Sequence, residues 1–367
     1  MTMHWNFLNS RRRRLQAGLA FFAGFAATPA GAQAPASGRL IADTVHSAAI
    51  ENNKYGDSPN RSVLVYLPPS YESSPARRYP VVYMLHGYGS TEQSWVRGYA
   101  GFNIQHAMDS LVAVAAAKEM ILVMPNARDF LRGSFYTNSA SDGGWDDFIS
   151  GELVAYVDRK YRTLARPQSR GLGGHSMGGY GTFYLAMLHG GDVYGAAYSL
   201  SGCCTRFNTV LTPGAEQMWA RLASLSSLSE ARDLDFIPSV YLALAAAFSP
   251  NPGRPPLYVD LPFKQKDGRW QKVDAVQAEW AEHSPYDMVP SHATHLKRLA
   301  GFAFDVGTRD ELVAPALVAQ MDSAFTRAGV AHSYETYDGT HTSRIGERMI
   351  TKVLPFFSRT LEFDKPK

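Results

Sequence analysis

Cysteine is almost absent: two occur in 367 residues, and they are neighbours, Cys203 and Cys204. A disulfide framework is therefore excluded, and a chain of this length buries enough apolar surface to fold without one. A bond between the two would be strained, because a trans peptide holds Cα atoms closer than disulfides prefer. Two free, buried thiols are expected, with a strained vicinal disulfide as the alternative. There is no CxxC pair and no clustered His and Cys spacing of the kind that holds zinc, so no metal or organic cofactor is called for. Long apolar runs are lacking as well. The stretch at 15–28 is too short and too rich in Ala and Gly to span a bilayer comfortably. Internal repeats and low-complexity tracts are missing after it. An excess of positive charge is lacking once the first 32 residues are set aside. The formal net charge is +3, and Arg11, Arg12, Arg13 and Arg14 more than account for it, with no acid before residue 33. No basic patch interleaved with aromatics remains, so no nucleic-acid partner is expected.

The first 32 residues have the makings of a bacterial signal peptide. The four arginines form a positive segment, an apolar segment follows at 15–28, and small-x-small sites stand at Ala30-Gly31-Ala32 and Ala32-Gln33-Ala34. Cleavage is expected after Ala32, since cutting two residues later would leave Pro35 at the new end. The arginines also resemble, loosely, a twin-arginine signal. The expected organisation is thus a signal peptide at 1–32, a linker at 33–39 and one domain at 40–362. Export to the periplasm or beyond is expected, without stable membrane insertion after cleavage.

From residue 40 onward, β-branched and apolar runs alternate with amphipathic stretches. Strands are expected at 41–47, 62–67, 81–85, 121–124, 171–174, 196–200, 302–306 and 333–337, and helices at 146–161, 178–188, 313–328 and 343–357. Such alternation argues an α/β fold with a mostly parallel central sheet flanked by helices. The first two strands have no helix between them and should be antiparallel. Residues 205–295 break the pattern. An insertion there, between the sixth and seventh strands, would project as a cap over the carboxyl edge of the sheet, where open α/β sheets bind ligands.

The strongest chemical signal is Gly174-His175-Ser176-Met177-Gly178, which falls between an expected strand and an expected helix. A serine on such a sharp turn is exposed and strained, and the glycines let backbones pack closely; this is the setting of a nucleophile. Its base and orienting acid should follow in the order Ser, Asp or Glu, His. Asp310, on the loop after the strand at 302–306, is the expected acid; Asp305, inside that strand, is its rival. His341, after the last strand, is the expected base, whereas His332 opens that strand and is not favoured. In this scheme the imidazole takes the serine proton while Asp310 fixes its tautomer. The glycine-rich His86-Gly87-Tyr88-Gly89 follows the strand at 81–85, so the amides of Tyr88 and Met177 are the expected oxyanion donors. His86 is read as holding that loop. Trp95, Trp145 and Tyr136, with Tyr88 and Tyr180 behind them, are candidate substrate contacts, and core packing is the competing role for each. Trp270 and Phe263 in the insertion are equally ambiguous.

Four segments together carry a family resemblance: Val65-Tyr66-Leu67-Pro68-Pro69-Ser70-Tyr71, His86-Gly87-Tyr88-Gly89, Trp145-Asp146-Asp147-Phe148 and Gly174-His175-Ser176-Met177-Gly178-Gly179. The chain resembles the esterase D family of α/β-hydrolases from about residue 40 to 357, most weakly in 205–295. The resemblance implies an α/β-hydrolase fold and an acyl-serine mechanism. It places Ser176, Asp310 and His341 at the triad positions, with Tyr88 and Met177 at the oxyanion positions. The implied substrate is a small-molecule or saccharide ester, feruloyl-type esters among them. The leader and the His86–Gly89 loop set the chain apart from cytosolic S-formylglutathione hydrolases. The same triad could pass the acyl group to a sugar hydroxyl, and a non-catalytic binding protein on this fold is the remaining alternative.

Overall fold

The computed structural model describes residues 37–207 and 211–364, so the expected signal peptide and most of the expected linker lie outside the described residues. Eight strands form the central sheet: β1 (Arg39–His46), β2 (Asn60–Leu67), β3 (Val81–Leu85), β4 (Ile121–Pro125), β5 (Arg170–His175), β6 (Ala196–Leu200), β7 (Gly301–Gly307) and β8 (Ser333–Tyr337). Their order across the sheet is β1-β2-β4-β3-β5-β6-β7-β8. β2 pairs antiparallel with β1 and β4, and every other pairing is parallel. β3 and β4 are buried along their whole length, as strands covered on both faces must be, which is why they read as unbroken apolar runs.

Alternate side chains feed two cores. Val65, Tyr83, Leu85 and Leu172 face one layer, and Leu64, Tyr66, Val82 and Met84 face the other. α1 (Ile104–Ala113) and the C-terminal α9 (Leu354–Thr360) cover the second face. α2 (Leu153–Lys160), α3 (Met177–His189), α7 (Pro285–Leu296) and α8 (Pro315–Arg327) cover the first. Glycines in β5 make room for α9: a Cβ on Gly171 would stand 2.6 Å from the Phe357 ring.

The insertion after β6 contains α4 (Pro213–Ala223), α5 (Phe236–Phe248), a hairpin of Phe263–Lys266 with Arg269–Lys272, and α6 (Asp274–Glu282). Its interior is aromatic. Phe207, Phe248 and Trp219 surround Trp280 at centroid distances of 5.2, 5.8 and 6.2 Å, and the Trp280 indole N–H donates to Ser249 Oγ at 2.9 Å. Phe263 is buried against Trp219, and Trp270 is half-buried. The part that stands apart from the layers flanking the sheet is shorter than 205–295. α7, placed within 205–295, packs on α3 and α8 and belongs to the layer flanking the sheet.

Candidate active site

The turn between β5 and α3 is built around one strained residue. Ser176 has φ 59° and ψ −115°, a conformation that side chains rarely adopt and that costs about 1–3 kcal/mol. The neighbouring glycines are dictated by contact. A Cβ on Gly178 would fall 2.1 Å from the Leu85 carbonyl oxygen, and one on Gly174 would fall 2.4 Å from that of Gly178. Backbone hydrogen bonds hold the turn: the Ser176 N–H donates to Leu200 at 3.0 Å, and its carbonyl accepts from Cys203 at 3.2 Å and Tyr180 at 2.9 Å.

Asp310 and His341 meet at the same edge of the sheet. His341 Nδ1 lies 2.8 and 3.0 Å from the two Asp310 carboxylate oxygens. A carboxylate can only accept, so Nδ1 carries the proton and Nε2 is left as the acceptor. Asp310 Oδ1 also accepts the amides of Leu312 (3.0 Å) and Val313 (2.8 Å). Burial alone would raise the Asp310 pKa. The His341 bond, its charge and the two amides outweigh that and hold it below the usual carboxylate value. Two residues that sequence reasoning passed over hold the backbone of His341. The Glu311 carboxylate accepts the His341 N–H at 3.1 Å, and His175 donates from Nε2 to the His341 carbonyl at 2.9 Å. The His175 and His341 rings stand 4.7 Å apart, which places His341 beside the chain neighbour of Ser176. Burial pushes the His175 pKa down to about 3, so a neutral ring faces the base. Its place inside the pentapeptide was the available signal.

The rivals are occupied elsewhere. Asp305 is fully buried, and its Oδ2 accepts from Arg348 Nη2 (2.6 Å), Arg348 Nε (2.9 Å) and the Tyr198 hydroxyl (2.9 Å). His332 bonds Asp322 at 3.0 Å and stacks on Phe304.

The loop after β3 lies against the serine. A Cβ on Gly87 would sit 3.3 Å from the Ser176 Cβ, so the residue before Tyr88 packs directly on the turn. Met177 opens α3, so its amide has no helical carbonyl to bond. His86 holds this loop from beneath: Nδ1 donates to Gly87 at 2.9 Å and Nε2 accepts from the Ala127 amide at 2.9 Å, while burial pushes its pKa down to about 4. The Gly89 amide bonds the Arg132 carbonyl at 2.8 Å, and the Arg132 guanidinium donates to the Arg232 carbonyl of the insertion at 2.6 Å.

The three aromatics expected at the substrate are corrected by the structure, since none has exposed surface. Trp95 fills the core on the α1 side, 5.2 Å from the Tyr99 ring. Trp145 donates its indole N–H to Asp142 at 3.1 Å, beneath the Arg61 guanidinium. Tyr136 supports the loop by donating to the His86 carbonyl at 2.8 Å. Tyr180 is likewise buried and bonds the His283 carbonyl at 2.9 Å. Apolar surface near the candidate residues comes from elsewhere. Phe236, 46% exposed, packs edge-on against the Tyr88 ring at 5.8 Å, and Leu312, 49% exposed, stands two residues from Asp310. Among the described residues, no group of three or more His, Cys, Asp or Glu is arranged to hold a metal ion. Cys203 and Cys204 are free and half-buried, with their Sγ atoms 2.9 Å apart.

A hydroxyl on a strained turn, an imidazole oriented by a carboxylate, and amides at a glycine loop are the parts that nucleophilic acyl transfer requires. A family model described as "putative esterase" matches residues 58–345. An endo-1,4-β-xylanase/feruloyl esterase of Xylanibacter ruminicola is 35% identical over 144 residues, 38% of this chain and 19% of that protein. An esterase of Mycobacterium tuberculosis is 32% identical over 147 residues, 39% of this chain and 29% of that protein. The match thus spans less than a third of the length of these curated relatives. Among solved structures, a ferulic acid esterase covers 89% of this chain and 99% of its own at 22% identity, with a TM-score of 0.61. An S-formylglutathione hydrolase of Staphylococcus aureus covers 88% and 99% at 19% identity, with a TM-score of 0.54. The fold is that of the α/β-hydrolases.

Proposed function

This chain belongs to the "putative esterase" family, and we propose that it is a serine carboxylesterase acting outside the cytoplasm, with Ser176, His341 and Asp310 as nucleophile, base and orienting acid. The observation that carries this reading is the buried contact of His341 Nδ1 with Asp310, which leaves Nε2 as the acceptor on a ring 4.7 Å from that of His175, the chain neighbour of Ser176. His341 takes the Ser176 proton as Oγ attacks the ester carbonyl. The amides of Tyr88 and Met177 receive the developing oxyanion. His341 then gives its proton to the departing alcohol, leaving an acyl-Ser176. Water, deprotonated by His341, repeats the sequence and releases the acid. His175 stays neutral throughout, so the imidazolium meets no second positive charge.

For the acyl side, the exposed Phe236 over Tyr88 and the exposed Leu312 beside Asp310 support an aryl or medium apolar group. Feruloyl-type esters of saccharides fit that surface, and the resemblance to a xylanase/feruloyl esterase points the same way. Export rests on the leader read in residues 1–32. A fluorophosphonate probe should label the purified protein at Ser176 only. Activity should then be compared across p-nitrophenyl acetate, butyrate and octanoate and methyl ferulate. Labelling with the best kcat/KM on ferulate or butyrate is expected. No labelling would overturn the serine assignment, and a clear preference for octanoate would overturn the aryl reading.

A further inference from the structure

Two sulfurs sit behind the turn that carries Ser176. After β6 the chain runs through Ser201 and Gly202 to Cys203 and Cys204, and this segment grips the nucleophile turn through Leu200 and Cys203. The two backbones touch elsewhere too, since a Cβ on Gly179 would stand 2.6 Å from the Gly202 Cα. Cys204 lies in the left-handed region at φ 57°. The Sγ atoms are 2.9 Å apart, against about 2.05 Å in a bonded pair, so under 1 Å of movement closes them. No third cysteine exists to compete.

We infer that Cys203 and Cys204 are an oxidisable pair that forms a vicinal disulfide in the working enzyme and stiffens the turn behind Ser176. The inference rests on the proposed export, because oxidising compartments are where such bonds persist. A low-molecular-weight disulfide serves as oxidant. One cysteine thiolate attacks it, forms a mixed disulfide and expels one reagent thiolate. The neighbouring thiolate then attacks the protein sulfur and expels the second. The reagent gains two electrons and the two cysteine protons, leaving as two thiols. A bond between neighbours closes almost no chain, so it contributes little to global stability. The short Cα spacing also makes it readily reducible. Its effect is local, on the support of the nucleophile.

The test uses the full exported chain, reduced with a phosphine and reoxidised with hydroxyethyl disulfide. Free thiols are counted by mass after N-ethylmaleimide treatment in denaturant. The reduced protein should carry two adducts, and the reoxidised one none, with the loss of two hydrogens. Cys203→Ser or Cys204→Ser alone should stall as a mercaptoethanol mixed disulfide. Fluorophosphonate labelling of Ser176 should be about threefold slower in the reduced form, with the melting temperature changed by no more than about one degree. The Cys203→Ser/Cys204→Ser double variant should stay at the slow rate in either state. Two adducts after reoxidation, or a stalled mixed disulfide in the wild type, overturns the bond. Equal labelling rates overturn its role. Absence of labelling in both states counts against the serine reading alone, and cell fractionation reports on export separately.

Discussion

Replacing Asp310 with Asn changes one oxygen for one NH2 group and nothing in size. In the native loop Oδ1 accepts the Leu312 and Val313 amides while both carboxylate oxygens face His341 Nδ1. The new side chain keeps its carbonyl on the two amides and turns its NH2 toward the imidazole. Nδ1 must then accept, the proton moves to Nε2, and the ring presents a donor where the serine needs an acceptor. Turnover should fall about 10,000-fold, or about 5.5 kcal/mol of transition-state stabilisation. The informative control is Asp305→Asn. It leaves Arg348 without its buried partner and should cost about 3 kcal/mol, seen as a melting point lower by several degrees. Its activity per folded molecule should be unchanged. Initial rates on p-nitrophenyl acetate, normalised to the folded fraction from circular dichroism, separate the two effects. A crippled Asp305→Asn beside a nearly normal Asp310→Asn would refute the assignment of the acid.

Ser176→Ala should remove about a millionfold of turnover. Ser176→Gly should be equally inactive but about 1 kcal/mol more stable in urea, because glycine relieves the positive φ; equal stability of the two variants argues against strain at the turn. Acid should act on the buried histidines against the fold, while the buried Asp129 and Asp142 carboxyls, raised by burial, pull the other way. His86, His175 and His283 are pushed by burial to about 4, 3 and 4, below the unfolded value near 6.5. Between those values the unfolded chain binds more protons, so each group takes away about 1.4 kcal/mol per pH unit as pH falls from 6.5 toward 4. A pH slope of the urea midpoint between about 6.5 and 4.5 that is the same in His283→Gln as in the native chain would contradict this. Phe236→Ala should raise KM for methyl ferulate about three- to tenfold while leaving p-nitrophenyl acetate within about twofold, with stability altered by less than about 0.5 kcal/mol. Equal effects on both esters would remove Phe236 from the acyl contact.

What could be read from sequence divides along physical lines. All eight strands of the main sheet lie close to where the sequence places them; in the six inner strands burial on both faces writes itself into consecutive residues, whereas β1 and β8 at the edges stay largely exposed. The pairing of Asp310 with His341 was legible because chain order and strand ends fix which loops share an edge. Trp95, Trp145 and Tyr136 misled, because a large aromatic looks alike whether it packs a core or lines a cleft. α5 and α7 were missed for local reasons. α5 is apolar on nearly every face and so shows no stripe, and α7 carries Pro290 in its interior. His175 and Glu311 escaped notice because their partner is the backbone of His341, and backbone contacts leave no mark on residue spacing.

The Arg132 tether has a mechanical consequence. Its carbonyl holds the Gly89 amide, next to Tyr88, while its guanidinium is anchored on the Arg232 carbonyl, and the Arg232 guanidinium in turn lies over Phe130. Insertion and donor loop are thus two arms of one lever with Arg132 as its pivot. In the mechanism proposed above, a group pressing on Phe236 would reach the Tyr88 amide through this lever, and the fit of the acyl group and the rate of its transfer would then change as a pair.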